Sequence, residues 1–238
     1  MLRILVTGAN RGLGFELTRQ YTERGERVFA SCRRPDAAES LQGLRARHPQ
    51  QLTILPLDVT DMSSIQQAHA LVRRQTDALD VLVNNAGMFS VSGSAEPSER
   101  LGRLDFEEAL GLFRANAVAP LIVAQEFLDL LRVGHQPRIA SISSGYGSIT
   151  ANTSGFPYYY GASKAALNMF VRSLAADARQ WAITTVLLDP GWVRTEMGGP
   201  EAPTTPEAAA AGLIKVIDTL TPEQNGRFFT WEGREQAW

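Results

Sequence analysis

Arg3-Ile4-Leu5-Val6-Thr7-Gly8-Ala9-Asn10-Arg11-Gly12-Leu13-Gly14 runs from a short apolar stretch straight into a glycine-rich turn, and the helical sequence Phe15-Glu16-Leu17-Thr18-Arg19 follows at once. A chain needs glycine where it turns tightly, where its backbone must approach a pyrophosphate, and where a helix must lie close on a strand. The N–H groups left unpaired at a helix start, together with the positive end of its dipole, favour a phosphate there. Three glycines would also suit a plain turn. Their place between an N-terminal strand and a helix is what predicts a dinucleotide site, with Gly8, Asn10, Arg11, Gly12, Leu13 and Gly14 as its cofactor-binding turn. The spacing is Gly-x3-Gly-x-Gly rather than the commoner Gly-x-Gly-x2-Gly.

Outward from this turn, short β-branched runs alternate with longer segments of helical period. Strands are predicted at Arg3-Val6, Arg27-Ser31, Leu52-Leu57, Val81-Val83, Arg138-Ser141, Thr184-Leu188 and Arg227-Thr230. Helices are predicted at Gly14-Arg24, Ala37-Arg47, Asp61-Thr76, Phe106-Arg132, Tyr160-Arg179 and Pro206-Leu220. Strand cores that are almost continuously apolar suit parallel strands covered on both faces, and the alternation joins them by crossover helices. The expectation is an α/β chain: a single-domain Rossmann fold over residues 1–238, with a doubly wound, parallel, seven-stranded sheet and helices on both faces. Irregular stretches near 88–103, 144–157 and 196–206 are candidate substrate loops, because binding contacts concentrate on loops held by a rigid scaffold.

Composition narrows the function classes. The 238 residues carry 23 Lys plus Arg against 25 Asp plus Glu, a formal net charge of −2, which argues against a nucleic-acid partner. Cys32 is the only cysteine, so the chain has no internal disulfide and no cysteine-rich zinc module. His48, His69 and His135 lie far apart without metal-ligand spacing, and no metal site is expected. The N-terminal apolar run is too short for a signal peptide, and no stretch approaches the roughly 18 apolar residues of a membrane span. A cytoplasmic protein is expected.

Cofactor choice is written at the end of the second strand, Ala30-Ser31-Cys32-Arg33-Arg34. A fold preferring NAD would place an acidic residue there for the ribose 2′-hydroxyl, and none is present. Arg33, with Arg11 from the glycine turn, can instead hold a 2′-phosphate by charge-assisted hydrogen bonds, which favours NADP(H) over NAD(H). The plainer reading makes both arginines solvated surface charge.

Lysine is almost absent: 21 arginines stand beside only Lys164 and Lys215. Lys164 follows Tyr160 by four residues in Tyr160-Gly161-Ala162-Ser163-Lys164, which on a helix puts both side chains on one face. A tyrosine ionises near pH 10, and a neighbouring ammonium favours its ionised form, so Lys164 is expected to lower the Tyr160 pKa toward the range of a proton donor and acceptor. Tyr158 and Tyr159 lack the four-residue relation and read as wall or packing residues. Upstream, Ser141-Ile142-Ser143-Ser144-Gly145 places hydroxyls at the carboxyl end of a strand, where ligands bind in open α/β sheets. Such a hydroxyl can stabilise the charge that grows on a substrate carbonyl oxygen. The sequence hardly separates Ser143 from Ser144. Within the long predicted helix, Pro120 cannot donate to the carbonyl of Asn116, which leaves that carbonyl for a bound water or merely bends the helix around the core.

Thr7-Gly8-x3-Gly12-x-Gly14, Asn84-Asn85-Ala86-Gly87 and Tyr160-x3-Lys164, in this order, resemble the motif set of the classical short-chain dehydrogenase/reductase family, and the match extends over essentially the whole chain. The resemblance accounts for the unusual glycine spacing. It implies a catalytic tetrad of Asn116, Ser144, Tyr160 and Lys164, with Tyr160 and Lys164 also meeting the cofactor. It further implies that Asn85, Ala86 and Gly87 line the cofactor and that Asp58 and Val59 lie beside its adenine. In Pro190-Gly191-Trp192-Val193-Arg194-Thr195, the Val193 backbone and the Thr195 hydroxyl would hold the nicotinamide amide, with Pro190 and Gly191 also among the cofactor-binding residues. Closer still, residues 190–199 and the ending Gln224-Asn225-Gly226 through Trp231 and Trp238 look like the C-factor and sniffer-like carbonyl reductases. Ser144 precedes Tyr160 by sixteen residues, a few more than is common in the wider family, which keeps Ser148 as a lesser candidate.

These readings imply an NADPH-dependent reductase of aldehydes or ketones, reversible as an alcohol dehydrogenase, that acts on a small carbonyl or alcohol substrate and works as a homo-oligomer, dimer or tetramer. Phe89, Tyr146, Phe156 and Trp192 near the predicted mouth suggest an apolar or aromatic carbonyl. The alternatives are a C-factor-like signalling or interaction protein that retains cofactor binding, and, ranked lower, an epimerase or dehydratase on the same scaffold.

Overall fold

Alternation along the strands decides which residues meet which helix layer. In β1 (Arg3–Val6), Ile4 and Val6 point to one side of the sheet and Leu5 to the other. The first side packs against α1 (Gly12–Glu23), α2 (Glu39–Arg47) and α8 (Pro206–Asp218) through Leu17, Tyr21, Leu41, Leu44, Leu213 and Ile217. The second packs against α3 (Met62–Arg73), α5 (Ala119–Glu126) and α6 (Leu128–Leu131) through Ile65, Val72, Val123, Leu130 and Leu131. The computed structural model describes residues 1–90, 101–153 and 155–238.

The remaining strands are β2 (Arg27–Cys32), β3 (Leu52–Pro56), β4 (Val81–Asn84), β5 (Arg138–Ile142), β6 (Thr184–Asp189) and β7 (Phe228–Thr230). They lie in the order β3-β2-β1-β4-β5-β6-β7, and every pairing is parallel. This is a Rossmann fold with its sheet flanked by helices on both faces. The chain steps outward from β1 through β2 to β3, then returns to continue from β4 on the other side. The switch point therefore falls between the carboxyl ends of β1 and β4, where open α/β sheets form their ligand crevice.

The amino-terminal edge of the sheet is fastened by Asp80, which is almost fully buried. Its carboxylate accepts from Arg3 N at 2.7 Å, from the Arg3 guanidinium at 2.7 and 2.9 Å, and from His135 N at 2.7 Å. Burial pushes its pKa up, but these donors and the Arg3 charge outweigh burial and hold it below the ordinary carboxylate value.

The expected single helix Phe106-Arg132 is not continuous. It comprises α4 (Phe106–Phe113), a wider π-helical turn over Arg114–Val118, then α5, a break at Phe127 and α6. In the wide turn Ala119 N–H bonds the Arg114 carbonyl, five residues back. Pro120 explains the place: with no N–H it cannot continue the four-residue ladder onto Asn116, and the helix shifts its step just ahead of it. The longest helix among the described residues is α7 (Tyr158–Ala178), which starts two residues before the predicted Tyr160.

Candidate active site

The glycine turn is shaped by contacts that leave no room for a side chain. Gly8 and Gly12 have φ of +65° and +53°. A methyl group on Gly14 would lie 2.3 Å from the Gly8 carbonyl oxygen and 2.4 Å from Asn85 Nδ2, which forces glycine at this close approach of α1 to the strand ends. Thr7 and Asn85 bind the turn to the end of β4. Thr7 Oγ1 accepts from Asn85 N and Ala86 N, both at 3.0 Å, while Asn85 Nδ2 donates to the Thr7 and Gly8 carbonyls at 2.9 and 3.1 Å. Asn85, expected to line the cofactor, thus spends its amide donor on holding the turn. No side chain caps α1, and its first turn carries no acidic residue. Its unpaired amides suit a phosphate, and the glycine cradle fits a pyrophosphate.

The two arginines stand differently. Arg33 is exposed at the end of β2, its charge felt by Asp58. Burial pushes Asp58 up, but its hydrogen bonds from Thr60 and the charges of Arg33 and Arg114 bring it below the ordinary value. Arg11 is ion-paired with Glu196, both side chains lying exposed at the surface. Across the cleft Thr195 lies against the glycine turn: a methyl group on Gly12 would be 3.2 Å from Thr195 Cγ2. Thr195 Oγ1 accepts from Gly198 N at 3.2 Å, and Gly191, after Pro190, has φ of +73°. Val193 pairs with Thr204.

Asn116, Ser144, Tyr160 and Lys164 are brought together from four places: the wide turn of the broken helix, the residues after β5, and two successive turns of α7. The Tyr160 hydroxyl hydrogen-bonds Ser144, and Ser144 Oγ also accepts from Tyr146 N at 3.2 Å. Ser143 turns the other way, donating to Asn168 Oδ1 at 2.6 Å inside the core, and Ser148 Oγ is taken by Ala151 N at 3.2 Å. The structure therefore selects Ser144 from the three serines. Asn116 is fully buried and clamps Met88: Oδ1 accepts from Met88 N at 2.9 Å, and Nδ2 donates to Met88 O at 2.8 Å and Ser163 Oγ at 3.1 Å. Gly87 keeps the floor bare beside them, since a methyl group there would lie 3.2 Å from Asn116 Oδ1 and 3.7 Å from Lys164 Nζ.

The electrostatics correct one expectation. Burial pushes the Tyr160 phenol up to about 12, the charge of Asp189 adds to this, and the Ser144 hydrogen bond only partly opposes it. Lys164 Nζ donates to the Ile142 carbonyl at 2.8 Å and lies 5.8 Å from the centre of the Tyr160 ring. Burial brings Lys164 down to about 8, with Asp189 opposing. In this enclosed site desolvation outweighs the one opposing contact, the Ser144 hydrogen bond, so the phenol is raised rather than lowered.

Phe89 and Tyr146 wall the phenol, with ring centres 4.9 and 6.2 Å from that of Tyr160. The part of the expected substrate loop at 91–100 lies outside the described residues, as does Ser154. Sequence reasoning missed Asp189, Ser163 and the core contacts of Asn84, whose Nδ2 donates to Pro120 O at 3.2 Å. For Asp189 the available signal was its place at the carboxyl end of a parallel strand. Among the described residues no cluster of three or more His, Cys, Asp or Glu is placed to hold a metal ion, and no helix is long and apolar enough to cross a membrane.

Comparison with known proteins agrees with this geometry. The family profile described as short chain dehydrogenase matches residues 3–205. The C-signal protein of Myxococcus xanthus is 44% identical over 163 residues, 68% of this chain and 95% of its own. The crystal structure of NADPH-bound carbonyl reductase from chicken fatty liver superposes with a TM-score of 0.90 at 36% identity, covering 99% of this chain and 98% of that one. The carbonyl reductase Sniffer of D. melanogaster superposes with a TM-score of 0.91 at 32% identity, with both chains fully covered.

Proposed function

The chain belongs to the short-chain dehydrogenase family, and from that premise we propose that this oxidoreductase reduces an aldehyde or ketone to an alcohol with NADPH, reversibly. The observation that carries the reading is the hydrogen-bonded Ser144–Tyr160 pair enclosed with Lys164 beside the bare Gly87. The uncapped α1, the glycine cradle and Arg33 support a dinucleotide with a 2′-phosphate, and the NADPH bound by the chicken reductase supports the same choice.

Held by the Gly8–Gly14 turn and Arg33, NADPH would supply the hydride that the carbonyl carbon receives. Ser144 donates to the carbonyl oxygen and stabilises the charge that grows there. Tyr160 gives that oxygen its proton. A phenol at about 12 is protonated at neutral pH, which suits this donor role. Lys164 keeps a positive charge beside the phenolate that forms. Asn116 fixes the Met88 backbone by both its polar groups, and its own carbonyl, which Pro120 cannot satisfy, is the place for a proton-relay water. The cofactor-contact roles of Asn10, Leu13, Asp58, Val59, Ala86, Pro190, Gly191, Val193 and Thr195 belong to the same proposal, as do a cytoplasmic location and assembly of two or four copies through the exposed Phe106 and Leu110 of α4 and Met169 of α7.

Similarity to C-signal favours one second reading, a signalling or interaction protein that keeps the cofactor without turnover. Following NADPH oxidation across a panel of aldehydes and ketones separates the two. We expect turnover, and a fall of about 10² to 10⁴ in kcat for Tyr160→Phe with NADPH affinity retained. Tight NADPH binding without any turnover favours the second reading, and wild-type rates in Tyr160→Phe remove the phenol from the mechanism.

A further inference from the structure

Tyr160, Lys164 and Asn168 follow one another at four-residue steps along α7, so the three side chains lie on one face of the helix. The first two belong to the reaction, and the third is a buried amide one turn farther on. Asn168 reaches across to the residues after β5. Its Nδ2 donates to the Gly147 carbonyl at 3.1 Å, and its Oδ1 accepts from the Ser143 hydroxyl at 2.6 Å. Gly147 fixes this orientation, because a carbonyl oxygen only accepts and must face the amide's N–H groups. Ser143 is also held in line with β6, its N–H donating to the Leu188 carbonyl at 2.7 Å.

Ser144 lies between these two anchor points. The short turn that follows it, Gly145–Gly147, has glycine at both ends and an exposed Tyr146 in the middle, so it has little side-chain packing of its own to hold it. Gly147 lies directly on α7: a methyl group there would be 3.0 Å from Lys164 Cβ and 3.1 Å from Asn168 Nδ2. Within the turn Gly147 N donates to the Ser144 carbonyl at 2.8 Å and Tyr146 N to Ser144 Oγ at 3.2 Å, which couples the place of Ser144 to that of Gly147. Helix α7 thus carries the phenol on its first turn and fixes, through Asn168, the serine that hydrogen-bonds the phenol. A reacting group misplaced by about 1 Å costs on the order of 10² in rate, so a tie of this kind has a catalytic consequence.

We propose that Asn168 is a positioning residue for carbonyl reduction: by tying Ser143 and Gly147 to α7 it sets where the Ser144 hydroxyl stands relative to Tyr160 and to the substrate oxygen. This rests on the reductase reading and adds a residue to it. Asn168 acts through Ser144, so its contribution to the rate exists only while that hydroxyl is present.

The test is a double-mutant cycle in the intact enzyme, with NADPH and a carbonyl compound that the wild type turns over, read as kcat, substrate KM and NADPH Kd. Asn168→Leu removes both ties, and we expect kcat to fall by on the order of tenfold to a hundredfold while the NADPH Kd stays within about twofold of the wild type. Introduced into Ser144→Ala, the same substitution should change kcat by less than about twofold, because the group it places is gone. Ser143→Ala removes one tie by deleting a single hydroxyl. Its fall in kcat should be smaller and should vanish in the Ser144→Ala background in the same way; this variant decides the matter if Asn168→Leu does not fold. An unchanged kcat, or a loss of the same factor with and without the Ser144 hydroxyl, overturns the positioning role and leaves carbonyl reduction standing. A wild type that binds NADPH but turns over no aldehyde or ketone overturns the reductase reading and this role with it.

Discussion

Lys164 is a nearly fully buried cation whose hydrogen-bond partner is a single main-chain carbonyl. Its folded value of about 8 lies below the ordinary 10.5, so the unfolded chain binds more protons between these limits. Stability therefore rises as pH climbs from 8 to 10.5 and is lost as pH falls through 8, a cost on the order of 3 kcal/mol at neutral pH. Lys164→Met removes this dependence. It also leaves the Ile142 carbonyl without its partner, a cost of about 1 to 3 kcal/mol that does not vary with pH. The expected result is that the variant gains on the wild type as pH falls from 10.5 to 7, read from urea midpoints at both ends, while carbonyl reduction is lost. An identical pH slope in the two proteins refutes the buried charge. The lysine is thus kept for what it does at the phenol, against the interest of the fold.

At the scale of elements, the parts of the sequence that follow hydrophobic period were legible and the parts set by a single missing group were not. The strands fall within a residue or two of their predicted ends, because near-continuous apolar runs leave little choice of register. The helix Phe106-Arg132 reads as unbroken by period alone, and only Pro120 marks the shift that turns Asn116 toward Met88. Ser143 and Ser144 were inseparable because successive residues at a strand end face opposite ways, and a sequence does not say which way is the core. The Tyr160 pKa was misjudged for a related reason: the spacing to Lys164 is visible, the enclosure is not. The motif after β4 reads as a cofactor contact, and its sequence does not show that the Asn85 amide also ties the glycine turn. Asn85→Ala cuts the bonds to the Thr7 and Gly8 carbonyls, and we expect the NADPH Kd to rise by about tenfold with kcat little changed. Fluorescence titration measures it, and an unaltered Kd would show that the turn holds its shape without the tie.

For the whole molecule, cofactor binding is linked to stability, since a ligand that binds only the folded chain stabilises it. At a hundredfold excess over Kd the gain is about 2.7 kcal/mol. In a chain of 238 residues that corresponds to a Tm rise of roughly 5 to 10 °C. NADPH should produce this shift and NADH at equal concentration a clearly smaller one, with the difference collapsing in Arg33→Ala. Equal shifts from both cofactors in the wild type would remove the 2′-phosphate role of Arg33.

Asp80 has a consequence at the acid end of the pH range. One carboxylate, just ahead of β4, holds Arg3 at the start of β1 by its backbone and its guanidinium and holds the His135 amide on the approach to β5, so a single proton loosens the ties among three segments. Because its folded pKa is depressed, the fastening is whole above the ordinary value of 3.8 and slackens as acidity drives protons onto it. Souring would accordingly slacken the sheet at the rim opposite the nucleotide crevice.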